Sequence, residues 1–148
     1  MRISIKIILF LALILSCEKN PTSIKVSSEK FTISTDKNYY TESDSIFISI
    51  ENKSDFDLTL GFRCSYENLE MFYQKQEGIN QWSDTLWFDY MSYKCMTLLK
   101  KLKSNQTLKH SLFSGDFKSK GKFRLLLPCY VNEKDSSFVI ASNVFEIK

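Results

Sequence analysis

The stretch Ser45-Ile46-Phe47-Ile48-Ser49-Ile50-Glu51-Asn52 decides the fold class. Its three isoleucines fall on every second residue, with Phe47, Ser49 and Glu51 between them. Successive side chains of an extended chain point to opposite faces, so a period of two reads as a strand with one buried face. β-Branched side chains favour the same conformation. The period recurs on both sides. Upstream, Phe31, Ile33 and Thr35 alternate with Thr32 and Ser34, and downstream Leu58 and Leu60 alternate with Thr59 and Gly61. Between these runs lie Asp36-Lys37-Asn38, Thr41-Glu42-Ser43-Asp44 and Glu51-Asn52-Lys53-Ser54-Asp55. Their short polar side chains hydrogen-bond nearby backbone and turn the chain. Further strands are expected over residues 69–76, 107–112, 122–131 and 143–147, with turns at Glu77-Gly78, Ser114-Gly115-Asp116, Lys120-Gly121 and Asn132-Glu133-Lys134-Asp135. Leu98, Leu99 and Leu102 fit helical spacing within residues 96–103, but an extended connection is the expectation there. Seven or eight short strands separated by turns describe an all-β protein, an antiparallel β-sandwich.

The amino-terminal residues have a different character. Arg2 and Lys6 precede an unbroken apolar run from Ile7 to Leu15, which is followed by Ser16-Cys17. A basic start, an apolar stretch of this length and a small residue make a signal peptide. The run is too short to span a bilayer, which takes about 20 apolar residues. Its end, Ile14-Leu15-Ser16-Cys17, resembles the lipobox of bacterial lipoproteins. The resemblance implies a diacylglycerol thioether on Cys17, removal of residues 1–16, and acylation of the new amino terminus, with palmitate among the expected chains. Such an anchor is firm: each buried methylene contributes about 0.8 kcal/mol, and two or more chains hold where one holds only marginally. Glu18 stands where the best-known inner-membrane retention signal has Asp, so the resemblance implies the outer membrane, facing either the periplasm or the outside. Residues 17–29 are polar and lack a sustained apolar period, as a flexible tether would be. The folded domain is expected over residues 30–148.

Removing Arg2 and Lys6 from the 20 basic residues leaves 18 against 17 acidic ones, a mature net charge of +1. No block of Lys or Arg builds the one-sided basic face that nucleic acid requires, so that partner is set aside. A content of 43% hydrophobic and 14% aromatic residues is that of a chain with a packed core.

Tyr40-x-x-x-Asp44-Ser45-Ile46-x-Ile48-x-Ile50-x-Asn52, Gly121-x-Phe123-Arg124-Leu125 and Ser142-Asn143-x-Phe145-x-Ile147 together resemble the small immunoglobulin-like domains of bacterial surface lipoproteins. More loosely, they are similar to the sandwich of a bacterial intracellular proteinase inhibitor. The first resemblance implies an immunoglobulin-like sandwich over most of residues 30–148. The second implies an inhibitor whose inserting element would be the aromatic stretch or the turn over residues 132–137.

Three cysteines besides Cys17 enter an oxidising compartment, where disulfides persist. Cys129 falls in step with Phe123, Leu125 and Leu127 and reads as a small buried hydrophobe. Cys64 and Cys95 lie beside strands or long connections that can adjust, and are expected to pair. Closing a loop of about 30 residues would stabilise the fold by roughly 3 to 4 kcal/mol in the chain-entropy model.

Few residues suit catalysis. His110 is the single histidine, which removes sites needing two imidazoles, and its parity with Leu108 and Leu112 reads as a half-buried ring. No serine elbow, phosphate loop or calcium loop occurs. Glu42/Asp44 and Asp55/Asp57 read either as backbone caps in turns or as calcium ligands. No metal or cofactor is expected. The densest aromatic stretch carries Trp82, Trp87, Phe88, Tyr90 and Tyr93, which either fill the core or contact a sugar or peptide. The expected function is that of a lipid-anchored envelope binding module without catalytic activity, with a protein or glycan partner. A protease inhibitor and an accessory subunit of an envelope assembly are the alternatives.

Overall fold

The computed structural model describes residues 30–131 and 136–148. The signal peptide, Cys17, the tether and the turn Asn132-Glu133-Lys134-Asp135 lie outside the described residues. Among the described residues, twelve strands follow in order: β1 (Phe31–Thr35), β2 (Tyr39–Tyr40), β3 (Ser45–Asn52), β4 (Leu58–Arg63), β5 (Phe72–Gly78), β6 (Gln81–Trp82), β7 (Leu86–Trp87), β8 (Thr97–Leu102), β9 (Gln106–Phe113), β10 (Gly121–Val131), β11 (Ser136–Ala141) and β12 (Phe145–Ile147). Short 3-10 turns cover Asp89–Ser92 and Ser114–Phe117.

Two sheets pack face to face. The smaller has the order β1-β3-β9 and is antiparallel throughout. The larger is built on β10, whose one edge carries β12 and then β11, and whose other edge carries β5 and then β4. Strand β8 extends the sheet from β4, and β2 adds to β12 in the one parallel pairing among the described residues. Strands β1, β3 and β9 against β4, β10 and the β11–β12 edge reproduce the A-B-E and C-F-G grouping of an immunoglobulin-type sandwich.

The period of two places the core. Ile46, Ile48 and Ile50 on β3 are buried, and Phe123, Leu125, Leu127 and Cys129 meet them from β10. An aromatic cluster closes one part of this core, with Tyr73 between Phe88 and Phe117 at 4.8 Å from each ring. The expectation of one buried face fails for β4, where Leu58 through Phe62 are all buried. Thr59 sits opposite Tyr130, and Glu70 folds over Gly61 so closely that a Cβ there would collide with its carboxylate. Residues 96–103 are extended, as expected, and form no helix. They supply β8, because β4 offers them a full antiparallel ladder from Arg63↔Thr97 to Leu58↔Leu102.

The chain enters beside the carboxyl end of β10. Lys53 donates its N–H to the Lys30 carbonyl at 2.8 Å, and the Phe31 ring lies 5.3 Å from Phe138, itself opposite Cys129. The β5–β6 reversal at Ile79 and Asn80 lies at the opposite end, beyond the Phe123↔Lys75 pair.

Candidate functional site

Strand β5 organises the outer face of the larger sheet. Tyr73 is buried in the core, so Phe72, Gln74 and Gln76 point away from it. Residues opposite one another in an antiparallel pair share a face. Strand β10 therefore sets Leu126 beside Phe72 and Arg124 beside Gln74. On the other edge of β5, the two-residue strands β6 and β7 set Trp82 opposite Gln76 and Trp87 opposite Phe72.

Side-chain contacts hold this row. Arg124 donates from Nε and Nη2 to Gln74 Oε1 at 2.9 and 2.6 Å. Gln74 Nε2 donates to the Ser83 carbonyl at 3.0 Å, and the Arg124 guanidinium carbon lies 4.2 Å from the centre of the Trp82 ring. Trp82 and Arg124 hang from strands on opposite sides of β5, and their side chains meet over it with the guanidinium against the indole. Trp87 meets Phe72 edge to face, with ring centres 5.3 Å apart, and remains 62% exposed. Ser83 pins the segment between the two tryptophans: its N–H donates to the Lys75 carbonyl at 2.8 Å, and its Oγ accepts from Lys75 N–H at 3.0 Å. The β5–β6 turn is made possible by Asn80 in the left-handed region, φ 58, and leaves Ile79 93% exposed.

The aromatic stretch therefore divides. Phe88 is 1% exposed, stacks on Tyr90 with ring centres 5.6 Å apart, and belongs to the core. Tyr90 is half-buried and donates its hydroxyl to the Leu69 carbonyl at 2.7 Å. Burial pushes that phenol well above its ordinary range, so it stays a donor. Tyr93 is exposed, but it lies near the disulfide and its carbonyl accepts from Arg63 Nη2 at 2.6 Å. Trp82 and Trp87 alone of the five form the outer row. Arg124 and Gln74 were not singled out from the sequence, although the alternation Phe123, Arg124, Leu125 turns Arg124 outward and so carries the signal.

Cys64 and Cys95 form a disulfide with Cα atoms 5.4 Å apart, tying the end of β4 to the connection before β8. Cys64 has φ 63, a left-handed backbone where the chain leaves β4. Cys129 is a buried free thiol, pushed up to about 12 by burial.

Other candidate chemistry is dispersed. His110 lies opposite Ile48, half-buried beside Tyr66 and Glu67, and burial holds it below its ordinary value. Asp44 Oδ2 accepts from Thr41 N–H at 2.6 Å, which holds its carboxyl below the usual range. Asp57 accepts from Ser104 N–H at 3.3 Å, and Asp55 pairs with Lys30. Among the described residues, no group of three or more His, Cys, Asp or Glu is gathered to hold a metal ion. A recess of about 260 Å³ on the outer face of the smaller sheet is lined by Ser34, Thr35, Asp36, Phe47, Ser49 and Lys109.

Compared with models of protein families and with curated proteins, the chain matches none.

Proposed function

We propose that this chain is a lipid-anchored binding module of the bacterial envelope, fastened through Cys17 at the outer membrane and without catalytic activity of its own. The lipobox resemblance supplies the anchor, and the outer face of β5 supplies the recognition surface. One observation carries the second half: Trp87 is 62% exposed on the outer side of the sheet, held there by a two-residue strand whose pairing with β5 fixes where it stands, with the half-buried Trp82 and Arg124 beside it. A ring exposed in this way offers large contact area at little entropic cost, which is how binding surfaces use aromatics.

The test is retention of envelope material on the immobilised chain from residue 17, carrying Cys17→Ser for solubility. The wild-type face is expected to retain a defined component, and Trp87→Ala is expected to lose it while leaving the melting temperature nearly unchanged. Equal retention by both proteins would contradict the reading.

A further inference from the structure

The smaller sheet ends in a bare edge. Strand β9 lies last in the order β1-β3-β9, and its 8 residues pair with β3 without interruption, from Ser45↔Phe113 to Asn52↔Gln106. The hydrogen bonds around β3 show which backbone groups of β9 are left over. The Phe47 carbonyl accepts from Asp36 N–H at 2.9 Å, and Phe47 N–H donates to Asp36 Oδ1 at 3.0 Å, so both groups point toward β1. Lys53 N–H points the same way, to the Lys30 carbonyl. Along an antiparallel strand this direction alternates from residue to residue. Ile46, Ile48 and Ile50 therefore bond to their opposite residues Leu112, His110 and Leu108 on β9. That leaves the N–H and C=O of Thr107, Lys109, Ser111 and Phe113 facing away from β3, and all four residues are exposed.

We propose that this edge pairs with the same edge of a second copy, joining the two smaller sheets into one across a two-fold axis at His110. Opposite residues of an antiparallel pair share a face, so a two-fold axis perpendicular to the sheet pairs only residues of equal parity. The register centred on His110 meets every free group: Lys109 pairs with the partner's Ser111 and Thr107 with the partner's Phe113, and the reverse. A centre at Lys109 sets two lysines directly opposite, which is destabilising, and runs the ladder into Asn105, whose φ is 57. A centre at Ser111 runs it into the 3-10 turn over Ser114–Phe117. The inner face suits the same register, since Leu108, half-buried in the single chain, meets the partner's Leu112.

Edges that stay single are guarded by charge, proline, a bulge or brevity. Strand β8, at one end of the larger sheet, carries Lys100 and Lys101 side by side. Strand β9 has Lys109 as its one permanently charged side chain and none of the other devices. The chain's own residues 17–29 join the domain ahead of β1, on the far side of the smaller sheet. A second copy brings the same unmet groups in matching register, and the pairing leaves neither edge bare, so the assembly closes as a dimer.

The experiment follows the Cys17→Ser chain from residue 17 by sedimentation velocity and amide hydrogen exchange at increasing concentration. The expected result is a monomer–dimer equilibrium. The amides of Thr107, Lys109, Ser111 and Phe113 are expected to slow by about tenfold once nine chains in ten are paired, whereas those of Leu108, His110 and Leu112 are slow from the start. Ser111→Pro removes an N–H on the free edge and none that faces β3, so it is expected to keep the fold and abolish the dimer. Should that variant misfold, His110→Cys gives a second test. Non-hydrogen-bonded partners stand about 4.5 Å apart between Cα atoms, within disulfide reach, so oxidation is expected to link two copies at position 110 and not in the control Thr107→Cys. A chain that stays monomeric to millimolar concentration, or a dimer whose protection falls on other strands, would overturn the inference. So would alternating protection already present in the monomer, which would mean that the chain's own amino-terminal segment covers the edge. The tryptophan face lies on the other sheet, and each of these outcomes leaves its own test untouched.

Discussion

Asn52 closes β3 and reaches between the sheets. It is fully buried, its Nδ2 donates to the carbonyls of Phe56, Leu102 and Lys103 at 2.8, 3.0 and 3.2 Å, and its Oδ1 accepts from the N–H and hydroxyl of Ser54. An apolar replacement would remove all of these bonds; the Ser54 hydroxyl and the Phe56 carbonyl would keep their bond to each other, but the other partners would lose the Asn52 side chain, and a buried polar group left unmet costs about 1 to 3 kcal/mol. Asn52→Leu is therefore expected to destabilise by about 3 kcal/mol or more in a denaturant melt, and a loss below about 1 kcal/mol would contradict this role. The cluster around Asn52 reads in the sequence as a local turn, and the bonds to Ser54 are of that kind. The reach to Leu102 was not legible, because only the β4–β8 pairing brings that carbonyl near. His110 gives a second prediction at this scale. Burial depresses its folded value below the ordinary 6.5, so the unfolded chain binds the proton more readily. Its contribution is complete above about pH 6.5 and is lost as pH falls through the lower folded value. Between about pH 7 and pH 5 the wild type should lose more stability than His110→Gln, and parallel pH profiles would contradict the assignment.

At the scale of elements, what was legible depended on whether a strand carries its own period. Strands β3 and β10 do, since every second residue is apolar and the buried set is the one expected. Strand β8 does not: Leu98, Leu99 and Leu102 mimic a helical face, and the backbone partners offered by β4 decide the outcome. Strand β11 has only Phe138 and Ile140 in alternation, and the ladder with the distal half of β10, from Leu126↔Ala141 to Val131↔Ser136, decides its place. Strands β6 and β7 are too short for any period, so the side of the sheet taken by Trp82 and Trp87 is fixed by β5 alone. The division of the aromatic stretch can be measured. Phe88→Ala should cost about 3 to 5 kcal/mol, as large-to-small changes in a packed core do. Trp87→Ala should cost less than about 1 kcal/mol, since only the edge contact with Phe72 is lost. Similar losses for the two would mean that Trp87 belongs to the core.

Over the whole molecule, the two ends of the sandwich differ. The chain enters at Lys30 beside the carboxyl end of β10, whereas Ile79 projects at the far end and the tryptophan row runs along the flank between them. With an anchor at Cys17 and a tether over residues 17–29, the row would stand alongside the membrane-distal half of the domain. Cys17→Ser should accordingly move the protein from the membrane fraction to the soluble one, and an unchanged membrane fraction would contradict the lipid anchor. The central claim is that the outer face of β5 meets a ligand in the envelope. Its most direct test is a photo-crosslinking residue placed in living cells at position 85, exposed two residues before Trp87, compared with one at position 49 on the outer face of the smaller sheet. The account predicts a discrete adduct with a molecule other than this chain from position 85 and none of that kind from position 49; equal labelling from both, or labelling from position 49 alone, would contradict it.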